Sequence, residues 1–204
     1  MKHRPGILSG LSLATLTFLL VAGLAAPACA ITRADVITRA KVWTDRNVPY
    51  SQSRYATVDG NLLASSTSSP QSKGYRTDCS GFVSMSLGFH TSSGALYSAD
   101  TAGLGKLLVK ITKDELRPGD VILRPKDLKI NGVLVPYGHA IIFGGWANSS
   151  KTEYWCLHES SSAKGTVLVR AQWGKSGFFN EVGFAPYRYP GVRDRIRAPK
   201  TFGQ

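Results

Sequence analysis

Cysteine is scarce in this chain, three in 204 residues, too few to build a disulfide scaffold in place of a core. Metal-binding spacing is missing too. Neither a Cys-x-x-Cys pair nor a histidine–carboxylate cluster marks a metal centre, and no cofactor is implied. Internal repeats and heptads are absent, which excludes solenoids and coiled coils. Acidic residues are few, 13 Asp+Glu against 25 Lys+Arg, giving a formal net charge of +12. A surface so basic suits nucleic acid, a membrane surface or an anionic polymer. No nucleic-acid recognition motif accompanies the charge, so nucleic acid is the poorest of the three.

Apolar side chains are plentiful. With 43% hydrophobic and 19% charged residues, the chain has enough to offset the entropy of ordering, and its length fits one monomeric domain. Residues 1–30 are laid out as a secretory signal: basic Lys2 and Arg4, an apolar stretch from Ile7 to Ala26, then Ala28-Cys29-Ala30 as a cleavage site. The competing reading is a retained membrane anchor, which the stretch is long enough to form. Cleavage after Ala30 would remove two cations and no acid, leaving +10, two cysteines (Cys79 and Cys156) and no stable membrane span.

Thr32 and Asp35 form a capping-box pattern before Val36, Ile37, Ala40 and Trp43, which predicts a helix from about Arg33 to Arg46. Residues 51–73 read as an ordered surface loop. A short buried helix follows Asp78, in Cys79-Ser80-Gly81-Phe82-Val83-Ser84-Met85-Ser86-Leu87. Pro118-Gly119-Asp120 turns into a strand, and Asn131-Gly132 signals a hairpin. Strands are expected at His139–Gly144, Glu153–Glu159, Thr166–Gln172 and Gly183–Tyr189. Helices first and antiparallel strands after make an α+β layout. Residues 190–204 read as a solvated basic tail.

Cys79 stands where a helix begins, and the unpaired N–H groups there favour a thiolate. Ser80 and Gly81 are small and leave the backbone open to a substrate carbonyl. His139, opening a strand after Gly138, is a candidate base. His158 ends the next strand; if the two strands are neighbours, it orients the His139 ring as a third member. Taken singly, a cysteine at a helix start and a histidine in a strand are more often packing residues. The combination with Pro-Gly-Asp is what points to catalysis.

Tyr75-Arg76-Thr77-Asp78-Cys79-Ser80-Gly81-Phe82-Val83, Leu116-Arg117-Pro118-Gly119-Asp120-Val121 and Gly138-His139-Ala140-Ile141-Ile142-Phe143 resemble the three core motifs of the NlpC-type cell-wall cysteine peptidases, a papain-like superfamily. Val48-Pro49-Tyr50 and Leu157-His158-Glu159-Ser160 resemble two further family segments. The resemblance covers about residues 33–189 and sets the catalytic domain at 31–189. It implies a papain-like core, Cys79 as nucleophile, His139 as base, His158 as orienting residue, and Tyr50, Asp78 and Ser80 lining the site. The implied activity is a secreted hydrolase of amide bonds in peptidoglycan stem peptides, with anionic wall polymers as further partners. Tyr50 leads into Ser51-Gln52-Ser53 where family members carry Trp-Gly-Gly, which bears on substrate. A same-fold amidase or acyltransferase, and a silent wall-binding or toxin-like module, therefore stay open. Glu159 competes with His158, since alternation aims one of them at His139; the motif favours His158. Cys156 shares the His158 face, as an inert packed thiol or as a disulfide partner of Cys79.

Overall fold

The computed structural model describes residues 31–174 and 182–194. The expected signal peptide, 1–30, and the end of the expected tail, 195–204, lie outside the described residues.

Helix α1 (Arg33–Asp45) starts on a full capping box: Asp35 N–H donates to Thr32 Oγ1 and Thr32 N–H to Asp35 Oδ2. Val36, Ile37, Ala40 and Trp43 form its buried stripe. Asn47, in the left-handed region (φ 45°), ends it ahead of Pro49. The loop beyond holds two short paired strands, β1 (Tyr55–Ala56) and β2 (Tyr75–Arg76).

Helix α2 (Cys79–Leu87) is buried on every side. Asp78 caps it by accepting Gly81 N–H at 2.7 Å, and Gly88, at φ 66°, closes it. Its buried serines stay satisfied within the helix, Ser84 donating to Ser80 O and Ser86 to Phe82 O. Burial of Phe82, Val83, Met85 and Leu87 contributes roughly 1.5–3 kcal/mol each. Next comes α3 (Thr101–Leu107), capped by Asp100 and absent from the sequence reading.

Strands β3 (Val109–Lys110), β4 (Val121–Arg124), β7 (His139–Trp146), β8 (Glu153–Ser160), β9 (Gly165–Gln172) and β10 (Ala185–Arg188) form one antiparallel sheet, ordered β3-β10-β4-β7-β8-β9. Between β4 and β7, β5 (Leu128–Ile130) and β6 (Val133–Val135) make the expected hairpin, with Asn131 and Gly132 both at positive φ. The architecture is α+β.

Period-two alternation gives the sheet two buried faces. Val121, Leu123, Ala140, Ile142 and Leu157 meet α1 and α2. Ile122, Ile141, Phe143, Tyr154 and Cys156 form a second cluster on the opposite face. Asp120 of the Pro-Gly-Asp turn, 1% exposed, accepts from Arg33 Nη1 at 2.8 Å and from Arg188 Nε and Nη2 at 3.0 and 2.8 Å. It ties the start of α1 to β4 and β10.

Residues 193 and 194, within the stretch expected as a solvated tail, are held against the rest of the chain. Arg193 N–H donates to Ile31 O, and Asp194 pairs with Arg33 and Arg117, so this stretch docks on the start of α1.

Candidate active site

Cys79 is the first residue of α2 and 9% exposed. It reaches this position because Gly81 lets the helix end close on β2: a Cβ there would lie 1.9 Å from Arg76 O. The backbone amides of Ser80 and Ala140 interact with the Cys79 sulfur. Ala140 follows His139, so the thiol sits against the first peptide of β7. Gly138 permits a second close approach, since its Cβ would fall 1.9 Å from Thr101 Oγ1 and 2.7 Å from Lys126 N. Thus α3, unforeseen in the sequence, abuts the residue before His139.

His139 Nε2 lies 3.3 Å from His158 Nδ1, with the rings at 88°. Their strands are adjacent in the sheet. Alternation separates His158 from Glu159: Cys156 and His158 share the second-cluster face, while Leu157 and Glu159 share the helix-facing one. The geometry therefore joins His139 to His158 and sends Glu159 toward Asp78 and Tyr50, with which it interacts electrostatically.

Burial dominates the electrostatics. It pushes the Cys79 thiol up to about 12, Asp78 adding to the rise, while the Ala140 and Ser80 amides and Arg76 oppose it. This reverses the thiolate expected from the helix terminus alone: the dry surroundings and the Asp78 charge outweigh the helix dipole. Burial, then Arg124, brings His139 down to about 4, and burial, then His139, brings His158 down to about 3. At neutral pH the thiol and both rings are uncharged.

In front of the thiol opens a cavity of about 420 Å³, lined by Cys79, Tyr50, Asp78 and Ser80 together with Gln52, Arg76, Asp100, Thr101, Lys126 and Pro136–Gly138. Neither histidine lines it. Sequence reasoning missed Arg76, which donates from Nε to Asp78 Oδ2 at 2.6 Å and from Nη2 to Ser80 Oγ at 3.0 Å. The signal was there in the alternation of Arg76, Asp78 and Ser80 across the strand-to-helix step. It also missed the Lys126–Asp100 ion pair at 2.8 Å on the far wall, which no local pattern announces.

Both Cys79 and Cys156 are free thiols. Cys156 is buried in the second cluster, its Sγ donating to Val169 O at 3.6 Å, which is the packed-thiol reading and not the disulfide. Among the described residues no cluster of His, Cys, Asp and Glu could hold a metal ion, and no helix is long and apolar enough to cross a membrane.

No protein-family model matches the chain, and no curated protein matches it. Among solved structures it is similar to a Staphylococcus aureus protein described as similar to lipoprotein, of the NLP/P60 family. The identity is 15% and the TM-score 0.38, over 77% of this chain and 41% of that one. The present chain thus spans less than half the length of that neighbour.

Proposed function

We propose that this chain is a secreted cysteine hydrolase with a papain-like core that cleaves amide bonds in peptidoglycan stem peptides. The observation that carries the reading is the His139–His158 pair on adjacent strands, at the start of β7 whose Ala140 amide interacts with the Cys79 sulfur at the amino end of α2. The motif resemblance supplies the substrate class.

In this reading His139 donates from Nε2 to His158 Nδ1, and Nδ1 is the atom that accepts the thiol proton. The Cys79 sulfur attacks the amide carbonyl as that proton moves to His139, so no standing thiolate is required. Backbone N–H groups at the start of α2 receive the oxyanion. His139 then protonates the leaving amine, an acyl-enzyme remains on Cys79, and water attacks it with His139 again as base. Arg76 holds Asp78 and Ser80 in place along the floor of the cavity.

Removal of residues 1–30 by a signal peptidase and retention near anionic wall polymers through the +10 charge belong to the same proposal. Salt-insensitive wall binding would remove the charge from this role. The test of function is digestion of purified muropeptides by mature protein and by Cys79→Ala: new amine and carboxyl termini from the first and none from the second are expected. Undiminished cleavage by the variant would take Cys79 out of its role.

A further inference from the structure

Seven large hydrophobic side chains are exposed among the described residues, and four of them gather at the β5–β6 hairpin. Val133 is 68% exposed, Leu134 52%, Tyr137 71% and Val182 67%. The first three lie on β6 or just after it. Val182 precedes Gly183, which lies against β5: a Cβ there would fall 2.7 Å from Ile130 Cδ1 and 3.0 Å from Leu128 Cδ2. Single exposed apolar residues are ordinary on a monomer, but their concentration at one projecting element marks an interaction site.

The register says how the hairpin stands. Leu128 pairs with Val135, Lys129 with Leu134 and Ile130 with Val133. Alternation therefore puts Leu128, Ile130, Val133 and Val135 on one face, and Lys129 and Leu134 on the other. Val133 and Leu134 point to opposite faces and both meet water, so the turn end of the hairpin is uncovered on each side by the rest of the described chain.

Two features of this ribbon select its partner. A protein packs on one face of an antiparallel ribbon and leaves the other to solvent, where polar side chains are favoured. A lipid layer surrounds an inserted turn and touches both faces, which suits Val133 and Leu134 back to back beside Asn131-Gly132. The charge has the matching sign. From Leu123 to Tyr137 the chain carries Arg124, Lys126 and Lys129 against Asp127 alone, within a chain of net charge +12. Lys126 is held by Asp100 at 2.8 Å, while Lys129, directly across from Leu134, is exposed. A polar anionic polymer would attract the lysines but gain nothing from Val133 and Leu134. Tyr137 adds an amphipathic ring of the kind that sits at headgroup level.

We propose that the β5–β6 hairpin is a membrane-docking element, its apolar turn end entering the boundary between headgroups and acyl chains of an anionic lipid layer, with Lys129 at the headgroups. Such docking is peripheral, driven by buried apolar area and by attraction to anionic lipid, and needs no spanning segment. Pro136, Tyr137 and Gly138, at the base of the hairpin, line the cavity in front of Cys79. Docking therefore brings that cavity to the lipid surface. The proposal rests on exposure, register and charge, and stands apart from the hydrolase reading.

The experiment sediments mature protein with vesicles of phosphatidylcholine and with vesicles of equimolar phosphatidylcholine and phosphatidylglycerol. Wild type should bind the anionic vesicles at least about tenfold more tightly than the neutral ones. Val133→Ser combined with Leu134→Ser, which removes apolar surface at constant charge, should weaken binding to the anionic vesicles at least about tenfold. Methyl NMR of wild type with spin-labelled lipid covers a variant that fails to fold: the Val133 and Leu134 signals should broaden first. No binding to anionic vesicles at low salt would overturn the proposal. Equal binding by wild type and the double variant would overturn it too, by assigning the attraction to the basic surface at large, as would broadening spread evenly over the surface. A double variant that loses binding to isolated wall polymer, while wild type ignores both vesicles, would make the hairpin a polymer contact instead. Hydrolysis enters neither readout, so failure of docking and failure of muropeptide cleavage are separate results.

Discussion

His139 Nε2 and His158 Nδ1 lie 3.3 Å apart on neighbouring strands, so each ring fixes the tautomer of the other. Replacing His139 by Ala should lower kcat by about 10²–10⁴ through loss of the base. His158→Asn, which keeps a hydrogen-bonding side chain, should retain more activity than His158→Ala. Equal losses in the two His158 variants, measured by stem-peptide turnover, would remove the orienting role.

The acid side of the pH profile follows from burial. His139 titrates at about 4, below its ordinary value, so it stays neutral and able to accept a proton as pH falls from 7 toward 4. Hydrolysis should persist to about pH 4 and fail below it. A steep loss already between pH 7 and 6 would show an ordinary, solvated imidazole.

Cys79 should behave as a neutral thiol until substrate arrives. With its ionisation at about 12, iodoacetamide at pH 7.5 should alkylate it at least about tenfold more slowly than a free thiol, whose pKa is about 8.5. The rate should keep rising into alkaline buffer. A fast, flat rate across pH 5–8 would instead reveal a resting thiolate–imidazolium pair.

Two substitutions test the frame that positions the site. Asp120→Ala takes from buried Arg33 one of its two carboxylates, leaving Asp194, and loosens Arg188, and should cost about 1.5–3 kcal/mol. Gly81→Ala drives a methyl into Arg76 O and should cost 1–3 kcal/mol or more while separating α2 from β2. Thermal unfolding reads both. A midpoint unchanged in either variant would contradict the packing described for it.

These residues also mark what could be read from sequence. The first helix was legible because a capping box and the stripe Val36, Ile37, Ala40 and Trp43 agree, and α2 because Asp78 precedes a short apolar run. The hairpin followed from Asn131-Gly132, whose positive φ values few other pairs adopt. By contrast α3 was hidden: two glycines in Thr101–Leu107 lower its intrinsic preference, and only Asp100 announces it. Asp120 was noticed as part of a motif, but its work is structural, in partners at Arg33 and Arg188 that sequence distance conceals. His158 and Glu159 posed a choice that alternation could state and only strand register could answer. The neutral thiol was out of reach, because burial by the whole fold decides it.

The central claim is that Cys79 carries the acyl group. Mature protein mixed with a stem-peptide substrate and quenched in acid during turnover should show, by intact mass, an adduct equal to the acyl fragment. Peptide mapping should place it on Cys79, and Cys79→Ala should show neither adduct nor turnover. Turnover that continues in Cys79→Ala, or an adduct mapped to Cys156, would contradict the account.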